Sequence, residues 1–213
     1  MASIKKFTRG AVNNQIRHVE RTIKNPSNRD IDVERFSCDY KLSPQRDISS
    51  FAYYTNRISE CYCYGRSDLK TLVGIICTMP QSLDSSYEDA FFQASYDFLT
   101  ERYGGEKNVI SAVVHRDESG MPHMHFLFVP VVYDEKKGRE KVCANEVLSY
   151  TEYQNFHPAY QKYLYDHDIP AEVATGVTRR QGGNITVAEM KQEREIQRVT
   201  MADKANEFKR GWI

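Results

Sequence analysis

The sequence predicts an α+β fold: an antiparallel sheet carrying a three-histidine metal site, helices packed mainly on one face of it, and a helical C-terminal segment. Three observations predict it. Apolar runs of strand length alternate with amphipathic helical stretches from the N-terminus onward. The two strongest strand signals, NVISAVVH and PHMHFLFVPVVY, are separated only by RDESGM, which suits a hairpin and is too short for a parallel crossover. After residue 149 the pattern turns helical. The chain is therefore expected to form one domain over 1–213, with a sheet core in 1–149 and a helical part in 150–213.

In order, SIKKFTR reads as a first strand with Ile4 and Phe7 available to a core. Gly10 breaks it, and a helix follows over 12–24, stopped by the turn cluster NPSNRD. RFSCDYKL alternates, with Phe36, Cys38 and Tyr40 on one side, and predicts a second strand. Ile48, Phe51, Tyr54 and Ile58 recur near helical spacing. TLVGIICTM is continuously apolar, as expected of a strand buried on both faces. SSYEDAFFQASYDFLTERYGG reads as a helix with a capping box, Ser85 with Glu88, and a stop at Gly104-Gly105. The histidine hairpin comes next, then DEKKGREK as a polar loop, and a Tyr-rich helix over 150–168. A Gly-rich stretch, TRRQGGN, and a charged helix close the chain.

Composition narrows the classes. With 40% hydrophobic and 27% charged residues the chain is an ordinary globular protein. No apolar run approaches a bilayer span and MASIKKFTRG lacks the apolar core of a signal peptide, so a cytoplasmic protein is expected. Five scattered cysteines, an odd number, read as buried free thiols. Formal net charge is zero, so any nucleic-acid binding depends on segregated charge, such as Arg17, Arg21, Lys24, Arg29 and Arg35 near the N-terminus.

HRDESGMPHMH, residues 115–125, holds three of the six histidines. His123 and His125 are two apart on a strand, so both leave one face, while Met124 and Phe126 enter a hydrophobic layer on the other. His115 ends the neighbouring strand, where the hairpin brings it alongside. Three imidazoles from adjacent strands make an open divalent-metal site, suited to catalysis. Glu118 or Asp117 can complete the shell, orient an imidazole, or act as a base. From chemistry alone such a site serves either a hydrolase or a phosphoryl-transfer enzyme. His18 and Arg21 lie one turn apart, and on their own they read as a helix-surface pair.

HRDESGMPHMHFLFVP resembles the metal motif of plasmid mobilisation relaxases of the Mob/Pre (MobV) class, within the histidine–hydrophobic–histidine endonuclease group. NNQIRHVERTIKNPSNRDID is similar to the family's first motif, a histidine followed three residues later by arginine, and SCDYKL resembles its second strand with a tyrosine. The Tyr-rich helix, GNITVAEMKQ and the charged tail look like the end of the same catalytic domain. One departure stands in the turn: Ser119-Gly120-Met121 is one residue longer than the family pattern. Gly120 can absorb the insertion, which bears on Glu118 more than on the histidines.

The resemblance implies an enzyme that nicks and rejoins a single-stranded or hairpin origin-of-transfer DNA, working with conjugation machinery. His115, His123 and His125 would hold the metal, Mn²⁺ or Mg²⁺ by family, with Zn²⁺ also compatible with the ligand set. His18 would be the nucleophile, with Tyr40 as the fallback, Arg21 a phosphate clamp and Glu118 a catalytic carboxylate. Arg17, Lys24, Arg29, Tyr40, Arg179 and Arg180 are the expected DNA contacts, and the many tyrosines offer base-stacking surfaces. Competing classes are a rolling-circle replication initiator, a small three-histidine metallohydrolase of non-nucleic-acid esters, and a DNA-binding regulator without catalysis.

Overall fold

The computed structural model describes residues 2–23, 28, 30–118 and 120–174. Within them lies a five-stranded antiparallel sheet in the order β1-β3-β5-β4-β2. Its strands are β1 (Ala2–Thr8), β2 (Tyr40–Lys41), β3 (Lys70–Thr78), β4 (Val109–His115) and β5 (His123–Phe128). A two-stranded ribbon, β6 (Val131–Asp134) with β7 (Arg139–Val142), is appended after β5. The helices are α1 (Val12–Val19), α2 (Ser50–Ser59), α3 (Glu88–Arg102), α4 (Ala144–Val147) and α5 (Tyr150–Asp166).

Strand parity assigns the two faces. Val73, Ile75 and Cys77 of β3, Ala112 and Val114 of β4, and Met124, Phe126 and Phe128 of β5 pack against Phe91, Phe92 and Leu99 of α3 and Phe156, Tyr160 and Leu164 of α5. The opposite residues, Leu72, Val113 and Leu127, meet Val12, Ile16 and Val19 of α1 and Tyr54 of α2. The two long helices thus cover one face, while two short ones share the other with the histidines. Helix α5 and the following Ile169, Ala171 and Val173 complete the first cluster, so the helical part up to Ala174 belongs to the same compact unit as the sheet.

Several local expectations are corrected. The first helix ends at Val19, because Arg21 adopts a left-handed φ of 50° and turns the chain back. Val33–Cys38 is a 3-10 helix begun by Asp32, whose side chain accepts from the Glu34 amide, and only Tyr40–Lys41 pairs with β4. Such a short edge strand offers little open backbone for aberrant pairing. The capping box is absent: Asp84 caps a preceding 3-10 turn, and Glu88 turns to Arg116 instead. DEKKGREK forms the turn and second strand of the β6–β7 ribbon, with Gly138 at φ 59°. Its charged residues hid the strand period. Pro130, which has no amide proton to donate, separates β5 from β6. Of the five free cysteines only Cys61 and Cys77 are buried. Among the described residues no helix is long and apolar enough to cross a membrane.

Candidate metal centre and nucleophile

The hairpin register puts His115 directly opposite His123, and His125 opposite Val113. All three imidazoles project from the α1 face, and one nitrogen of each lies within 4.8 Å of the others. Ring centroids are 4.5 Å apart for His115 and His125, 5.1 Å for His123 and His125, and 5.5 Å for His115 and His123. The turn between the strands is carried by Gly120 at φ 148°, a conformation that tolerates the extra residue without disturbing strand parity.

Hydrogen bonds fix two of the tautomers. His115 Nε2 lies 2.8 Å from the Val19 carbonyl, an acceptor only, so Nε2 carries the proton and Nδ1 the lone pair. That Nδ1 is buried without a partner. His123 Nδ1 faces the Met121 carbonyl at 3.3 Å, leaving its Nε2 toward the cluster. Burial depresses the His115 pKa to about 3 and the His125 pKa well below its usual value, so both imidazoles are neutral near pH 7, the form a metal ion requires. An orphaned buried nitrogen among neutral imidazoles fits a divalent metal ion, as does the carbonyl that holds the second nitrogen of His115.

His18, in the last turn of α1, faces the same space. Its ring centroid is 5.7 Å from that of His125 and 6.3 Å from that of His115. Burial, followed by the nearby Arg21 charge, lowers its pKa and leaves a neutral imidazole with a free lone pair. Tyr40 lies elsewhere. It packs with the α3 cluster on the far side of the sheet, its hydroxyl 3.4 Å from Asp89, and burial with Glu88 and Asp89 raises its pKa.

Arg21 leaves the helix and reaches the turn after β4. Its Nη2 donates to Asp117 at 2.6 Å and to Glu118 at 2.9 Å, its Nε is 3.6 Å from Asp39, and its Nη1 donates to the His18 carbonyl at 3.2 Å. The side chain is 8% exposed, and that of Asp117 is fully buried. One guanidinium thus faces three carboxylates. A phosphate about 4 Å from one carboxylate is opposed by roughly 4 kcal/mol at an effective dielectric near 20, so the clamp role expected of Arg21 meets a guanidinium already engaged. Glu118 stands between, with Oε1 on Arg21 and Oε2 4.0 Å from His123 Nε2.

Of the expected DNA contacts, Arg17 is exposed on α1 beside His18. Lys24, Arg29, Arg179 and Arg180 lie outside the described residues. Tyr40 and Arg116 line a cavity with Asp89 and Gln93 at the β2 edge. On α5, Tyr160 is buried, whereas Tyr150, Tyr153 and Tyr165 are exposed. Sequence reasoning missed Asp39, which accepts the Arg116 amide at 2.7 Å. In the expected strand it was merely an outward polar residue.

Residues 1–192 match the model of the Mob/Pre family, plasmid recombination enzyme. The chain belongs to this family. A plasmid recombination enzyme of Streptococcus agalactiae is 28% identical over 199 residues, spanning 90% of this chain and 38% of that protein. A type 1 enzyme of Staphylococcus aureus is 31% identical over 174 residues, 78% of this chain and 42% of that protein. The chain therefore spans less than half of these Mob/Pre relatives. Among solved structures, the Mn-bound MobM relaxase domain in complex with plasmid pMV158 oriT DNA superposes with a TM-score of 0.74 at 26% identity, covering 91% of this chain and 97% of that one. The Mob/Pre assignment fits both the antiparallel sheet and the histidine cluster on it.

Proposed function

We propose that this Mob/Pre chain is the catalytic part of a relaxase: a metal-dependent endonuclease and strand transferase that nicks and rejoins one strand at a plasmid origin of transfer during mobilisation. The observation that carries this is the placement of a neutral His18 ring 5.7 Å from His125, on the metal face. The Mn-bound, oriT-bound MobM domain supports the same metal and substrate class here. Mn²⁺ is our choice, with Mg²⁺ as the nearest substitute. The DNA would be single-stranded or hairpin, met in the cytoplasm and passed to conjugation machinery.

His115, His123 and His125 would hold a divalent ion, which would supply Lewis acidity at the scissile phosphate. His18 attacks phosphorus through its free nitrogen, forming an N–P bond as the bond to the 3′ oxygen breaks. The 3′ oxygen leaves as a hydroxyl, taking up a proton, and the 5′ phosphate stays on the protein as a phosphoramidate. Since one P–N link replaces one P–O link, the 3′ hydroxyl can attack in reverse and restore the strand. Glu118, whose Oε2 lies 4.0 Å from His123 Nε2, would relay that proton between water and the leaving oxygen. Arg17 offers an exposed charge to the DNA backbone. The remote, low-acidity Tyr40 hydroxyl gives the tyrosine route no support.

The test is cleavage of a labelled single-stranded oligonucleotide library drawn from the host plasmid, with Mn²⁺ or EDTA. A site-specific, Mn²⁺-dependent nick is expected. Binding of metal without affinity for any strand would instead favour the metallohydrolase, and DNA binding without cleavage would favour the regulator.

A further inference from the structure

We propose that Asp39 and Asp117, acting through Arg21, are positioning residues: an ion-pair strut that holds the His18 end of α1 against the metal hairpin. The inference rests on His18 being the nucleophile. Three independent elements meet at one guanidinium: the turn after α1, the segment before β2 that carries Asp39, and the turn after β4 that carries Asp117 and Glu118. The same guanidinium returns a hydrogen bond to the carbonyl of His18 itself, at 3.2 Å. Arg21 is held in a left-handed conformation that side chains with a Cβ rarely adopt, and such conformations persist where surrounding contacts over-determine them.

The strut is continuous with the metal site. The Asp117 backbone carbonyl accepts the Asp32 amide at 2.8 Å, and Asp39 Oδ1 accepts the Arg116 amide, the residue next to ligand His115. These contacts fasten the 32–39 segment to the chain just past β4, while the Val19–His115 hydrogen bond and the Arg21 ion pairs fasten the end of α1 to the same place. A guanidinium so placed contributes by fixing geometry, since productive attack requires reacting atoms within about 3–3.5 Å and correctly aligned. The Arg21 Nη2, with both hydrogens committed to Asp117 and Glu118, would have to release one of these short charge-assisted bonds to reach a phosphate.

The test combines position and rate. In Mn²⁺-loaded protein labelled at histidine, the His18 ring resonances should be broadened by the paramagnetic ion. In Asp117→Asn, and less so in Asp39→Asn, that broadening should diminish while Mn²⁺ affinity stays within about threefold of wild type. Unchanged broadening of His18 in both variants overturns the strut, whether or not the protein nicks DNA. The rate readout is a cycle of Arg21→Met, Asp117→Asn and the pair. If Arg21 acts through Asp117, each single variant slows single-turnover nicking by about 10- to 100-fold with unchanged oligonucleotide affinity, and the double variant is no slower than the worse single. Multiplicative losses with weakened DNA binding in Arg21→Met would make it a phosphate clamp. Wild type that shows His18 broadening but no nicking on any strand removes the relaxase function and leaves the strut standing.

Discussion

The His115 imidazole and the Val19 carbonyl meet at 2.8 Å across 96 residues of chain. The contact has two consequences. It fixes the His115 tautomer, aiming the Nδ1 lone pair into the cluster, and it ties the end of the His18 helix to a proposed metal ligand. His115→Ala should therefore lower Mn²⁺ affinity by at least about 100-fold, at or above the upper end of the loss seen when an outer partner is removed. Isothermal titration checks this, and wild-type affinity in the variant would exclude His115 from the metal shell.

Strand β5 separates the proposed metal-binding histidines from the packing residues by parity. Phe126 is fully buried between the sheet and α3, and Phe126→Ala should cost about 3–5 kcal/mol in urea unfolding while the folded protein still binds Mn²⁺. His125→Ala should do the reverse, removing metal binding with a far smaller loss of stability. Equal effects of the two changes on both measurements would contradict the face assignment.

Burial lowers the pKa values of His115, to about 3, and of His125 below the usual 6.5. The unfolded chain then binds protons that the native state refuses, so stability falls as pH drops below about 6.5. The loss continues down to the folded-state values. Thermal melts of the EDTA-treated protein should show Tm decreasing steadily from pH 7 to pH 5, and Mn²⁺ should raise Tm at pH 7 by binding the native state alone. A metal-free Tm independent of pH over this window would show that neither imidazole is buried neutral.

Arg17 is exposed one residue from His18. If it neutralises one phosphate of a single strand, Arg17→Ala should weaken oligonucleotide binding alike for all sequences and reduce the log–log salt slope by about 0.7. Fluorescence anisotropy between 50 and 200 mM salt, roughly the range over which such contacts are lost, measures both.

Where apolar patterning or turn residues act locally, the fold was legible in the sequence. The β4–β5 hairpin follows from its short connection, β3 from its continuous apolar run, α3 from its Gly104-Gly105 stop and α5 from its tyrosine-rich stretch, and the parity of His123 and His125 gave the histidine face directly. Elements set by tertiary contacts were not legible. The alternation of Phe36, Cys38 and Tyr40 promised a strand, yet Asp32 capping and the hook of Asp39 on Arg116 favoured a 3-10 turn. Likewise the helical continuation past Val19 gave way to the ion pairs that pull Arg21 back to the hairpin. The pairing of Arg21 with Asp117 spans 96 residues, a separation at which local pattern carries no information.

The identity of the nucleophile is decided by the covalent product. Wild type and His18→Ala are incubated with Mn²⁺ and an origin-containing oligonucleotide, resolved on a denaturing gel, and the adduct is digested and mapped by mass spectrometry. Attack by His18 predicts an acid-labile, alkali-stable adduct on the peptide containing residue 18, absent from the variant. An adduct that persists in His18→Ala and maps to a tyrosine would contradict it.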